Sequence, residues 1–304
     1  MSENAVYTAD IKKLFVGHSV TLGGDIGVNF FIDSNVAGVK DAETAVVKFA
    51  WDGGKYIKEV NLKDMTPDNN GIYKVTINVV AAQMAHTIEA VAFINGNMFY
   101  TVDMFSVQEY AEEVYANPEK YDTKGKPNQL KALAAALLNY GSEAQTVFAD
   151  ALQVHFDRAD KNVGQSDYSG VTADAVAAKI NGAASDLDEI ASQLNAEFYT
   201  SSLIYLQNNT LRLYFTPKSK TIGALNGMGF TGALSEYYYY ADHANIPAAE
   251  LDDQQSFTVN GVEFTYSPLD YVVAVLNSGS MTDTQKNLAK SLFLYNQAAN
   301  AYFD

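Results

Sequence analysis

In the stretch Trp51-Asp-Gly-Gly-Lys-Tyr56, residue types and spacing meet the demands of a sugar site. A sugar presents a flat face of C–H groups that stacks on an aromatic ring, and hydroxyls that bond to nearby carboxylates, amides and ammonium groups. Trp51 and Tyr56 offer the rings, and Asp52 and Lys55 sit between them on a tight turn. A packing role is open as well, with Trp51 capping a core and Tyr56 pairing with it across a hairpin. The run Tyr237-Tyr-Tyr-Tyr240 is the second candidate. In a strand, alternate rings face opposite sides, so two face a core and two face solvent. Tyr238 and Tyr240 form the pair taken as a platform, with Glu236, Asp242 and His243 close enough in sequence to bond hydroxyls. Which pair faces outward stays open.

Other chemistry has little to stand on. No nucleophile elbow, zinc-protease helix, phosphate loop or calcium loop occurs, so no catalytic residue, metal ligand or cofactor is assigned. Gly23-Gly-Asp-Ile-Gly27 reads as a hairpin turn, because a strand pattern follows it and not a helix. Asp68-Asn-Asn-Gly71 is a turn rich in oxygen atoms, but it departs from calcium-loop spacing. His18, His86, His155 and His243 are scattered without metal-ligand spacing. Glycosidase carboxylates cannot be picked from 36 acidic residues without geometry. The expectation is therefore a protein that is not an enzyme.

Composition narrows the partners. The chain carries 20 Lys and Arg against 36 Asp and Glu, a net charge of −16. No basic stripe exists to neutralise phosphates, which argues against nucleic acid and against anionic membranes. Uncharged polysaccharide and basic proteins fit that charge. There is no cysteine, so disulfides and thiolate chemistry are excluded. No apolar run is long enough to span a bilayer. No signal peptide is visible, and the Met1-Ser-Glu-Asn4 start is expected to follow a leader that has been cut away.

The elements that must position these residues are marked by a repeat. Leu133, Ala134, Leu137, Tyr140, Ala144 and Phe148 match Leu288, Ala289, Leu292, Tyr295, Ala299 and Phe303 without a gap. Upstream, Ser106-Val-Gln-Glu-Tyr110 predicts a helix opened by a capping box. Ser267-Pro-Leu-Asp-Tyr271 predicts its counterpart, with Pro268 at the first helical position. A strand pair precedes each, turning at Asn95-Gly96 and at Asn260-Gly261. Further back, Ala81-Ala-Gln-Met84 resembles Ala248-Ala-Glu-Leu251, and Ile26, Val28 and Phe30 match Leu211, Leu213 and Phe215 in pattern.

Each unit thus reads as strands first and helices second. In the first, strands are expected near 14–22, 25–33, 44–51, 56–62, 73–80, 88–94 and 97–105. A helix over 128–148 carries one apolar stripe at positions 130, 133, 137, 140, 144 and 148. The segment 151–200 has no counterpart and reads as a connector, with helices near 172–180 and 186–194 and N-caps at Thr172 and Ser185. The expected fold is α+β: two Ig-like β-sandwich units, each followed by a helical hairpin and packed through helices. The expected divisions are sandwich 1 over 1–105, hairpin and connector over 106–200, sandwich 2 over 201–266, and a C-terminal hairpin over 267–304.

Gly24-Asp-Ile-Gly-Val-Asn-Phe-Phe31, the Ser106–Tyr110 entry, Leu137-Leu-Asn-Tyr-Gly-Ser-Glu-Ala-Gln145 and Leu294-Tyr-Asn-Gln-Ala-Ala-Asn-Ala-Tyr-Phe303 together resemble a recurring module. It is the duplicated sandwich-and-helix module of secreted, often dockerin-bearing proteins of gut Ruminococcus and related clostridia. Nearly the whole chain is covered, mostly at core and turn positions. The resemblance implies a place in surface assemblies that degrade polysaccharide, with starch-adherence proteins of amylosomes the nearest functional picture. It implies an extracellular or cell-surface, non-catalytic protein that binds starch or maltooligosaccharide. Cellulose or another β-glucan, or a structural and protein-interaction spacer role, stands as the alternative. The chain contains no dockerin-like calcium repeat, so anchoring and contact with other components of the complex would need a segment outside it.

Overall fold

The computed structural model describes residues 14–21, 26–36, 38–51, 54, 56–152, 163–204, 210–218, 229–230, 239–259 and 261–304. Its strands are β1 (Phe15–Thr21), β2 (Gly27–Asp33), β3 (Ala45–Trp51), β4 (Tyr56–Asn61), β5 (Ile72–Asn78), β6 (Ile88–Ile94) and β7 (Asn97–Phe105). Three helices follow: α1 (Val107–Ala116), α2 (Pro118–Tyr121) and α3 (Pro127–Leu152). Then come α4 (Ala173–Ala177), α5 (Leu187–Gln193), β8 (Ala196–Ile204), β9 (Thr210–Pro217), β10 (Gly229–Phe230) and β11 (Tyr239–His243). The order closes with β12 (Gln255–Val259), β13 (Val262–Tyr266), α6 (Pro268–Asn277) and α7 (Asp283–Phe303). The fold is α+β. β8 runs through the boundary expected at 200–201.

The paired strands form antiparallel sheets, ordered β1-β2-β5, β4-β3-β6-β7, β10-β11-β9-β8 and β12-β13. Alternation decides which face each presents. In β5, Tyr73, Val75 and Ile77 are buried while Lys74 and Asn78 are exposed. β2 and β3 turn apolar rows toward each other, with the Phe30 and Phe49 ring centroids 5.1 Å apart. Farther along the chain, Phe215 of β9 meets Phe264 of β13 at 6.1 Å. The β6–β7 turn uses positive φ at both Asn95 (50°) and Gly96 (76°), as the Asn-Gly pair predicts.

The helix starts follow their sequence signals. Ser106 accepts from the Glu109 amide while Glu109 accepts from the Ser106 amide, and Ser267 and Asp270 repeat that exchange. Thr172 caps α4 as expected. Ser185 does not cap α5: Asp186 does, accepting from the Asp188 and Glu189 amides. The Ser185 hydroxyl instead accepts from the Thr265 amide, tying the connector to β13. A carboxylate is at least as good a cap as a hydroxyl, which frees the serine for that tie.

α3 and α7 lie side by side, and Tyr140 stacks on Tyr295 with centroids 5.7 Å apart and planes 13° off parallel. These tyrosines are partners in the sequence repeat. Lys124 and Lys126, just before α3, donate to the carbonyls of Phe303, Ala301 and Tyr302 at the end of α7, so the two helices run antiparallel. α3 is buried on more than its expected single stripe, because Ser142, Glu143 and Gln145 are also buried. The reason is the connector: Gln165 and Tyr168 donate to Glu143, and the Ser166 amide donates to Asn139. On its far side the connector donates from the Asn181 amide group to Asp252 and Asp253. Asp252 also accepts from Asn296 and Asn300 of α7, so a buried carboxylate is satisfied by three asparagines.

Candidate functional site on the outer face of the β8–β11 sheet

β9 reads Thr210-Leu-Arg-Leu-Tyr-Phe-Thr-Pro217. Leu211, Leu213 and Phe215 are fully buried, so Arg212 and Tyr214 occupy the opposite face. β11 lies antiparallel beside it, placing Tyr240 across from Tyr214 and Asp242 across from Arg212, with Ala241 on the buried side. β8 lines the other edge of β9, with Thr200 opposite Tyr214 and Ser202 opposite Arg212. Two rows of side chains therefore cross three strands, one holding Thr200, Tyr214 and Tyr240, the next Ser202, Arg212 and Asp242.

The second row is locked. Arg212 Nε donates to Asp242 Oδ1 at 2.6 Å and its Nη2 donates to Oδ2 at 2.7 Å, a two-pronged pair that fixes the guanidinium plane. The Asp242 carboxylate holds the Arg212 charge above its ordinary range, against the opposing effect of burial. The guanidinium carbon lies 3.6 Å from the centroid of the Tyr240 ring and 6.0 Å from that of Tyr214. Tyr214 and Tyr240 are each half-buried. The Ser202 hydroxyl is buried beside Arg212 and has no hydrogen-bond partner among the described residues. The exposed parts of the two rings and a preset ion pair can take a ligand that offers C–H faces and hydroxyls.

Of the residues singled out in the sequence, Tyr240 and Asp242 stand in this cluster. His243 faces the other way: its Nδ1 lies 3.2 Å from the Ser256 carbonyl, and its ring sits edge-on to Phe257. Tyr238 and Glu236 lie outside the described residues, as do Asp52 and Lys55. Trp51 ends β3 in the same row as the buried Val47 and Phe49, half-buried and packed on the core. Tyr56 opens β4 directly opposite it. The two sequence candidates are thus on different sheets.

Arg212 and Tyr214 were not singled out in the sequence. The alternation over 211–215 places both on one face, but their pairing with β11 is a long-range contact that no local pattern carries. The described residues hold no group of three His, Cys, Asp or Glu side chains able to bind a metal ion. None of their helices is long and apolar enough to cross a membrane. Compared with known proteins, the chain matches no family model, and no curated protein or solved structure is significantly similar to it.

Proposed function

We propose that this chain is a non-catalytic carbohydrate-binding protein that works outside the cell and holds a neutral glucan, starch or maltooligosaccharide, on the outer face of the β8–β11 sheet. The observation that carries the reading is the cross-strand cluster, in which Tyr214 and Tyr240 stand side by side next to the Arg212–Asp242 pair. A sugar stacks on the exposed parts of the rings and exchanges hydroxyl hydrogen bonds with the charged pair. Because Asp242 already neutralises Arg212, the cluster favours an uncharged ligand over a uronic acid.

In this reading the chain is built of two Ig-like sandwich units. They take in the strands of 1–105 and those from the start of β8 to residue 266, with helical layers over 106–195 and 267–304. Matched capping boxes at Ser106 and Ser267, and the meeting of Tyr140 with Tyr295, support a duplicated unit. The extracellular setting and the choice of starch rest on the resemblance to starch-adherence proteins. A structural or protein-interaction role is the second reading, favoured by Trp51, whose ring packs against the core.

Affinity electrophoresis separates them. The whole chain is run in native gels containing amylopectin, with xylan, a cellulose derivative and plain gel alongside. Retardation by amylopectin is expected, and Tyr240→Ala or Arg212→Ala should weaken it by about tenfold or more. Unchanged mobility in every gel would put the interaction role ahead.

A further inference from the structure

Far along the chain from the β8–β11 sheet, α1, the short α2 and the end of α7 converge on a second group of rings, in which half-buried rings pack on buried ones. Tyr110 sits edge-on to Tyr121 with centroids 5.4 Å apart, and Phe105 lies edge-on to Tyr110 at 6.1 Å. Tyr302 is edge-on to Phe303 at 5.1 Å, and its hydroxyl donates to Asp122 Oδ1. Lys120 lies 4.8 Å over the Tyr121 ring, while its ammonium donates to Glu113 at 2.7 Å and to the Tyr121 hydroxyl at 2.9 Å. Lys124 lies 5.2 Å over Phe303 and donates to that residue's carbonyl.

Three properties separate this group from ordinary packing. Tyr110, Tyr121 and Phe303 are each only half-buried, and the Lys120 and Glu113 side chains are 64% and 42% exposed. The polar groups hold capacity in reserve. Of the three donors on the Lys120 ammonium, Glu113 and Tyr121 take two, and the bonds to Asp122 from the Lys124 amide and Tyr302 both fall on Oδ1. Charges of both signs also intermix, with Glu113 and Asp122 set among Lys120 and Lys124, on a chain whose net charge is −16. Such a surface attracts neither a polyanion nor a polycation, and it suits a neutral polyol with a flat C–H face. The capping of α7 by Lys124 and Lys126 fixes the rings in advance, which lowers the cost of binding.

We propose a second sugar-binding site here, with Tyr110, Tyr121 and Phe303 as its rings and Glu113, Lys120 and Asp122 supplying hydrogen bonds, taking one or a few units of a neutral glucan. It rests on the carbohydrate-binding reading given above. Calorimetry of the whole chain with maltoheptaose, and with cellohexaose in parallel, reads the number of sites. Two sites are expected, falling to one in Tyr121→Ala and to one in Tyr240→Ala, with none in the double variant. The milder Lys120→Ala and Glu113→Gln, checked by circular dichroism, guard against loss of folding. A single site that Tyr240→Ala abolishes and Tyr121→Ala, Lys120→Ala and Glu113→Gln leave unaltered would overturn the second site and keep the sheet site. A single site that only the helical variants remove would support the second site and overturn the sheet site. No binding of either sugar would overturn both.

Discussion

Burial raises the Tyr266 hydroxyl and the Ser201 hydroxyl beside it offsets part of that rise, leaving it pushed up to about 12. Burial also raises the Tyr271 and Tyr295 hydroxyls. Well below pH 10, the ordinary tyrosine value, both the folded and the unfolded chain keep these groups protonated. Between there and the raised values, the unfolded chain loses protons that the folded chain keeps, so stability falls as pH rises. Tyr266 alone contributes a slope of up to about 1.4 kcal/mol per pH unit. Urea midpoints measured from about pH 8 to about pH 11 should be level at first and then drop, and Tyr266→Phe should flatten the drop. An identical slope in the variant would show that Tyr266 does not titrate this way. At this scale the sequence offered Tyr240 as a candidate, because a tyrosine run beside acids is visible in one dimension. It did not offer the Arg212 that covers its ring, since Arg212 arrives from another strand.

Among the elements, α3 and α7 carry the most telling contact. Residues matched by the sequence repeat, Tyr140 and Tyr295, stack on each other where the antiparallel helices meet. Each ring is nearly inaccessible to solvent, at 1% exposure. Replacing either with alanine should cost about 3–5 kcal/mol. A double-mutant cycle should return a coupling of about 0.5–1.5 kcal/mol beyond the separate losses. Additive losses in chemical denaturation would mean that the rings do not support each other. The starts of α1, α4 and α6 and the Asn95-Gly96 turn were legible because caps and Asn-Gly turns are local chemistry. The extra burial of α3 was not, because Ser142, Glu143 and Gln145 read as a polar face until the connector's Gln165 and Tyr168 arrive against it.

At the scale of the whole molecule, buried apolar side chains among the described residues form a connected core that includes residues from both sheet regions and from the helices between them. The connector bonds to α3 at one end and to Asp252, Asp253 and β13 at the other. We therefore expect a single cooperative unfolding transition. Trp51, the only tryptophan, reports on β3, whereas far-ultraviolet circular dichroism reports on all elements. The two urea curves should coincide, and a separate early or late tryptophan transition would show units that unfold independently.

By itself the sequence determined the α+β class, the strand-then-helix order, the caps at Ser106, Thr172 and Ser267, the Asn95-Gly96 turn and the alternation that sorts each strand's residues between two faces. Each of these follows from neighbours a few residues apart, through backbone geometry and side-chain period. Tertiary structure alone decided that Trp51 lies in a core-facing row, that Tyr240 stands beside Tyr214 under Arg212, and that Asp252 is held by three asparagines. Those outcomes depend on strand register and helix packing between distant segments. Alternation says which residues share a face, but only the assembled sheet says what lies across from them.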